Sequence, residues 1–212
     1  MKIKKWLLAV GTALLAFGAA VLLPGALEKP RVALTFDDGP SSRFTPLLLD
    51  ELKKREVCAS FFLIGKNIEG NEKLVKRMQE EGHLIGSHTY SHIRLDQISR
   101  EEAKKEILKA GNVIYQAAGV YPSYIRPPFG AWRKDLELSV SMLPAFWDLD
   151  TLDWKLQDAD VVVKKVESQV RDGSIILMHD GYAASVEAAV RIVDLLKKRG
   201  YEFVTVEELL VT

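Results

Sequence analysis

Cysteine occurs once in the 212 residues, at Cys58, so no disulfide can close within the chain and no cysteine cluster can hold a metal. Cys58 opens the apolar run Cys58–Ile64 and reads as a buried, inert thiol. The lack of disulfides does not exclude export, because a chain of this length buries enough apolar surface to fold without staples. Histidine is scarce too, with four in all, so each has to be accounted for. No lysine-arginine run and no basic stripe interleaved with aromatics occurs, which argues against a nucleic-acid partner. Repeats and low-complexity stretches are also missing. Charges balance at 29 basic and 29 acidic residues, but Lys2, Lys4 and Lys5 precede the rest, and without residues 1–24 the balance is 26 to 29. A neutral polymer or a wall polymer suits so mildly acidic a body.

One segment lacks charge altogether. Trp6–Leu23 runs for 18 residues and closes at Pro24-Gly25. That length is at the short end for a membrane-spanning helix and above the usual core of a cleavable signal. Gly18-Ala19-Ala20 lies inside the apolar run, and Pro24 stands where a cleavage site wants a small residue. Residues 1–24 are therefore read as an uncleaved signal anchor with its lysines inside and the body extracytoplasmic at the cell membrane, secretion being the alternative. Residues 25–31 make a short linker, and residues 32–212 a single catalytic domain.

Within the body, short apolar runs alternate with segments of helical period, the pattern of an α/β domain with a largely parallel sheet. Strands are predicted at Val32–Thr35, Ala59–Ile64, Leu84–Gly86, Tyr124–Ile125, Ala145–Leu149, Ser174–Met178 and Phe203–Val206. Helices are predicted at Phe44–Lys54, Asn71–Glu81, Asp158–Val170 and Ser185–Arg199. Another runs from a capping box at Ser99-Arg100-Glu101-Glu102 to Gly119. Seven such units suggest a barrel smaller than the eight-unit kind, with a doubly wound open sheet as the competing architecture. In both, chemistry gathers at the carboxyl ends of parallel strands.

Five motifs fall at such ends. Thr35-Phe36-Asp37-Asp38-Gly39-Pro40 carries adjacent carboxylates, which by themselves more commonly make an exposed turn. If both are buried, a cation on one and base duty for the other is the economical arrangement. His88 and His92, four apart, grip one divalent ion if the segment turns helically, and two histidines with one carboxylate leave coordination positions open for water and substrate. His83 is read as structural. In Arg126-Pro127-Pro128-Phe129-Gly130 the prolines stiffen a loop from which Arg126 can pair with Asp37 and the Phe129 N–H can face an oxyanion; a plain connecting loop is the other reading. Trp147-Asp148-Leu149-Asp150-Thr151-Leu152-Asp153-Trp154 mixes indoles and carboxylates, as sugar sites do, although a core tryptophan beside solvated aspartates has the same composition. Ser174-Ile175-Ile176-Leu177-Met178-His179 is a buried strand delivering a histidine that can act as an acid if a carboxylate raises its pKa.

In this order, TFDDGP, HTYSH, RPPFG, DTLDW and LMH, the motifs resemble the polysaccharide deacetylases of carbohydrate esterase family four, which share the NodB-homology domain. The resemblance spans Val32 to about Val211. It implies a distorted (β/α)7-type barrel and one divalent transition metal, zinc foremost and cobalt or another ion otherwise, at Asp38, His88 and His92. By the same resemblance Asp37 is the base tethered by Arg126, Phe129 supplies an oxyanion N–H, and Asp153 pairs with the acid His179. Trp154 and Leu177 then form the slot for the acetyl methyl. Phe129 departs from the tyrosine of many members. The activity implied is removal of N-acetyl groups from an amino-sugar polymer, foremost N-acetylglucosamine of peptidoglycan. Chitooligosaccharide, O-acetylated xylan and a catalytically silent wall-binding module are the alternatives.

Overall fold

A computed structural model describes residues 29–136 and 140–211. The signal anchor expected at residues 1–24 and residues 25–28 of the expected linker lie outside the described residues. Among those described, no helix is long and apolar enough to cross a membrane.

The strands are β1 (Arg31–Asp37), β2 (Ser60–Leu63), β3 (Leu84–Ser87), β4 (Tyr124–Ile125), β5 (Leu143–Pro144), β6 (Leu149–Asp150), β7 (Ser174–His179) and β8 (Glu202–Phe203). The α-helices are α1 (Thr45–Lys54), α2 (Gly65–Ile68), α3 (Glu72–Glu80), α4 (Arg100–Ala118), α5 (Asp153–Leu156), α6 (Ala159–Gln169), α7 (Ala183–Lys198) and α8 (Val206–Leu210). Every strand pair is parallel, and the sheet runs β5-β4-β3-β2-β1-β7-β6. That is the circular order of a seven-stranded barrel opened between β5 and β6, which do not pair among the described residues. The fold is thus an α/β domain on a curled parallel sheet, and its ladder is open.

β1 shows why the sheet carries a site on one face and a core on the other. Successive side chains alternate. Val32, Leu34 and Phe36 join Phe61, Leu63, Ile176 and Met178 in the core under α1, α3, α6 and α7, and Phe36 stacks on Phe61 at 5.2 Å. Thr35 and Asp37 point the other way, into the curl, with Phe62, Leu177 and His179. α8 closes the opposite end of the curl. Val206 there packs with Ala33, Phe62 and Tyr124, and its N–H donates to Ser60 Oγ at 3.0 Å.

Several elements differ from the sequence reading. The run Ala145–Leu149 is not one strand; β5 ends before it and β6 begins at its last residue. Arg126 accounts for this, because its Nε and Nη2 take the Ala145 and Phe146 carbonyls, at 3.3 and 3.2 Å, that a ladder would have used. Phe203–Val206 is not a strand throughout either. β8 ends at Phe203, and Thr205 and Glu208 form a reciprocal capping box that starts α8 at Val206. That box is written in the sequence as Thr205-Val206-Glu207-Glu208, where it overlaps the apolar run. The box at Ser99 and Glu102 is present, and α4 ends at Gly119 with φ 75°.

Candidate active site

The parallel sheet brings the ends of β1, β3, β4, β6 and β7 together around a cavity of about 460 Å³ lined by Asp37, Asp38, His88, His92, Phe129, Trp147, Asp150, Trp154, Leu177, His179 and Tyr182. A larger open groove of about 640 Å³ lies elsewhere, around His83, Tyr121 and Glu207. It lacks the converging carboxylates and imidazoles of the first.

Arg126 is wholly buried between the sheet faces. Its Nη1 donates to Asp37 Oδ1 at 2.8 Å and to Thr35 Oγ1 at 2.7 Å, and its guanidinium lies 4.1 Å from the Phe62 ring centre. Burial pushes the Asp37 carboxyl up, while the charge of Arg126 opposes that rise. The result is a fixed, desolvated carboxyl with Oδ2 toward His88.

Asp38 turns away from its neighbour because its backbone adopts φ 73°, the left-handed region. Asn67 Nδ2 holds its carbonyl at 2.8 Å. Asp38 Oδ1 is buried without a hydrogen-bond partner, yet stands 3.4 Å from His88 Nε2 and 3.3 Å from His92 Nε2. The three ligand atoms lie within 4.8 Å of one another, the only such group among the described residues. An orphaned carboxylate oxygen facing two imidazole nitrogens fits a divalent cation. The tautomer fits as well. His88 Nδ1 lies 2.7 Å from the Arg126 carbonyl, which can only accept, so Nδ1 carries the proton and Nε2 presents its lone pair. Burial pushes the pKa of His88 down to about 3, so the ring is neutral.

The two histidines do not share a helix face, contrary to the condition set from their spacing. Residues 88–92 form a loop in which Thr89 and His92 have φ of 63° and 59°, and this brings the rings to 4.9 Å. The loop is pinned by contacts that leave no periodic signal. Glu106 Oε2 on α4 accepts from Ser91 N–H at 2.8 Å and Ser91 Oγ at 2.9 Å, and the Gly65 and Lys66 N–H groups take the Thr89 and Tyr90 carbonyls. His83 stands apart. Its Nδ1 accepts the Ala59 N–H at 3.1 Å, and burial lowers its pKa to about 4.

On the opposite wall, His179 Nδ1 and Asp153 Oδ1 are 2.8 Å apart, while Asp153 Oδ2 accepts the His179 N–H at 2.8 Å and Ser185 Oγ at 2.5 Å. Burial alone would raise the Asp153 pKa, but these donors hold it below the usual carboxylate range. For His179, burial favours the neutral ring, yet the bond and charge of Asp153, aided by Asp37 and Asp38, carry its pKa above the ordinary value. His179 Nε2 looks across the cavity, 4.0 Å from Asp38 Oδ2.

The rim is aromatic. Phe129 sits at φ 60° with 62% of its surface exposed and its ring 4.9 Å from that of His92. Trp154, on α5, is half exposed and lines the cavity together with buried Leu177. Asp148 belongs elsewhere, since it accepts the Ile175 N–H at 2.6 Å and pairs with Arg171 at 2.9 Å. Asp150 and Tyr182 do line the cavity and went unassigned in the sequence reading.

A family model described as polysaccharide deacetylase matches residues 25–144. The chain is 42% identical over 187 residues to the peptidoglycan N-acetylglucosamine deacetylase of Listeria monocytogenes, covering 88% of this chain and 40% of that protein. It is 39% identical over 204 residues to a peptidoglycan N-acetylglucosamine deacetylase of Bacillus cereus, covering 91% of this chain and 73% of that one. The structure of the peptidoglycan deacetylase PdaC of Bacillus subtilis superposes with a TM-score of 0.83 at 38% identity, over 85% of this chain and 90% of that one. The chain thus spans two fifths of the Listeria protein's length, and over that span it belongs to the polysaccharide deacetylase family.

Proposed function

We propose that the chain is a metal-dependent N-deacetylase whose substrate is the N-acetylglucosamine of peptidoglycan. One observation carries the reading: an Arg-tethered aspartate, an Asp-His-His ligand set and an Asp-paired histidine face one another across a single cavity. Asp38, His88 and His92 would hold one divalent ion, zinc first and cobalt or another transition ion otherwise, and such an ion supplies Lewis acidity toward the acetyl group. Asp37 takes the proton of the attacking water, kept oriented and ionised by Arg126. His179, charged through Asp153, gives its Nε2 proton to the leaving amine. The Phe129 N–H faces the developing oxyanion, and Trp154 and Leu177 flank the acetyl methyl while excluding water. The curated relatives named above act on peptidoglycan, which favours that polymer over chitooligosaccharide and acetylated xylan. Retention by Trp6–Leu23, with the body outside the cell membrane, suits an immobile wall polymer. Cell fractionation tests this part, and a soluble mature protein beginning near Ala26 overturns it.

The deciding assay measures acetate released from peptidoglycan, chitooligosaccharide and acetylated xylan by the full chain, before and after chelation and with ion restored. Release from peptidoglycan that chelation abolishes and ion restores is expected. Full activity in rigorously metal-free protein overturns the mechanism, and release from xylan alone overturns the substrate. No release from any of the three, with the fold intact, favours the wall-binding module.

A further inference from the structure

Asp180 follows His179 at the end of β7, and its enclosed carboxyl takes no part in the steps above. Its Oδ2 accepts a hydrogen bond from Thr45 Oγ1, at the start of α1, while Oδ1 has no partner. Thr45 Oγ1 itself accepts the Ser41 N–H at 2.7 Å, and Ser41 Oγ accepts the Phe44 N–H at 3.2 Å. On its other side the carboxyl lies against Gly39, where an added Cβ would sit 2.4 Å from Oδ2 and 2.6 Å from Oδ1. Asp180 thus touches both the beginning and the end of the turn from Gly39 to Thr45. The far side of that turn is held by the Ile64 N–H on the Gly39 carbonyl at 3.0 Å and by Asn67 on the Asp38 carbonyl. Asp38 enters the turn at φ 73°, a conformation that a residue with a side chain keeps only where its surroundings over-determine it.

We propose that Asp180 is a positioning residue that braces the Gly39–Thr45 turn against the end of β7, so that Asp38 Oδ1 is aimed at His88 and His92 before an ion arrives. This rests on the reading of Asp38, His88 and His92 as ligands. Burial pushes the Asp180 carboxyl up to about 7, an unfavourable setting for an aspartate with one oxygen unpartnered. What it holds in place offsets that cost. Gly39 is required by the same contact, since any larger residue would drive the carboxyl off the turn.

The test is Co²⁺ binding by the full chain, followed by the visible absorption of the bound ion and by chelator competition, with thermal unfolding of the metal-free forms alongside. Asp180→Ala and Thr45→Val should each weaken Co²⁺ binding by about ten- to a hundredfold, the range for losing a group that orients a metal ligand. The double variant should be no weaker than the worse single one, because both remove one brace. Asp180→Asn keeps the shape and the acceptor for Thr45, and should bind Co²⁺ within about twofold of the unaltered chain. Thermal destabilisation of Asp180→Ala with unchanged Co²⁺ affinity overturns the proposal, as does full additivity of the two single losses. If Asp180→Ala does not fold, the near-isosteric Thr45→Val decides, and unchanged affinity there overturns the brace. Absence of Co²⁺ binding by the unaltered chain is a different failure, that of the ligand reading itself.

Discussion

Asp37 and Asp38 are adjacent in sequence and unlike in surroundings, so their amides should fail differently. Asp37 is desolvated and paired with Arg126, whereas Asp38 Oδ1 faces two imidazoles and has no hydrogen-bond partner. Asp37→Asn should keep the ion and lose about 10²–10⁴-fold in turnover, as general acid–base groups do. Asp38→Asn should bind the ion more weakly, so that a higher ion concentration recovers part of the activity. Equal loss of ion by both variants would show that the two roles have been misassigned. A second prediction concerns pH. In the proposed mechanism His179 must be protonated to act as the acid, and its pKa is raised, so kcat/KM should fall as pH rises through that value. Asp37 must be ionised, so the acid limb follows its carboxyl, which burial pushes up. Asp153→Asn removes the charge that favours the imidazolium, and the alkaline limb should move to lower pH. An alkaline limb that stays put in this variant would assign it to another group.

At the scale of elements, α4 does two separable things. Its N-terminus is capped by Ser99 and Glu102, whose exposed reciprocal bonds concern the helix alone. Ser99→Ala should cost about 1 kcal/mol in denaturant unfolding and leave ion affinity unchanged. One turn further on, Glu106 reaches the loop that carries both histidines. Glu106→Ala frees Ser91, loosens the left-handed turn at His92 and should lower ion affinity about tenfold. Equal effects of the two substitutions on ion binding would show that the loop does not depend on this tether. The five long helices α1, α3, α4, α6 and α7 were legible because their apolar spacing and caps are local signals, as at Leu48 and Leu52, both buried on α1, whereas the short α2, α5 and α8 were not. The Glu106 tether was not legible. A glutamate in Glu101-Glu102-Ala103-Lys104-Lys105-Glu106 looks like any other on a solvated helix face.

For the whole molecule, the proposed ligand set is drawn from the turn after β1 and from the loop after β3, so an ion bound there ties separate parts of the sheet together. An ion that binds only the folded chain stabilises it by mass action, by about 2.7 kcal/mol at a hundredfold excess over its Kd. For a domain of this size that amounts to a rise in Tm of about 5–10 °C. Calorimetry with Co²⁺ or Zn²⁺ before and after chelation measures it, and a Tm indifferent to the ion would speak against a native metal centre. The Asp38→Asn variant should show a smaller rise at the same ion concentration.

What the sequence determined by itself is what depends on neighbours along the chain. The apolar run Val32–Thr35 marks a strand, Gly119 stops a helix, and each motif follows an apolar run, so parallel strands gather the motifs at one end of the sheet. What only the tertiary structure decided depends on residues far apart in the chain. Arg126 takes the Ala145 and Phe146 carbonyls, with β5 ending before them and the ladder open toward β6. Left-handed backbone at Asp38, Thr89 and His92 aims the ligand atoms where helical spacing alone would not. Thr45 meets Asp180 across 135 residues. Such contacts leave no period in the sequence, because burial and hydrogen bonding between distant segments select them, whereas local propensity sets only the elements that bring those segments together.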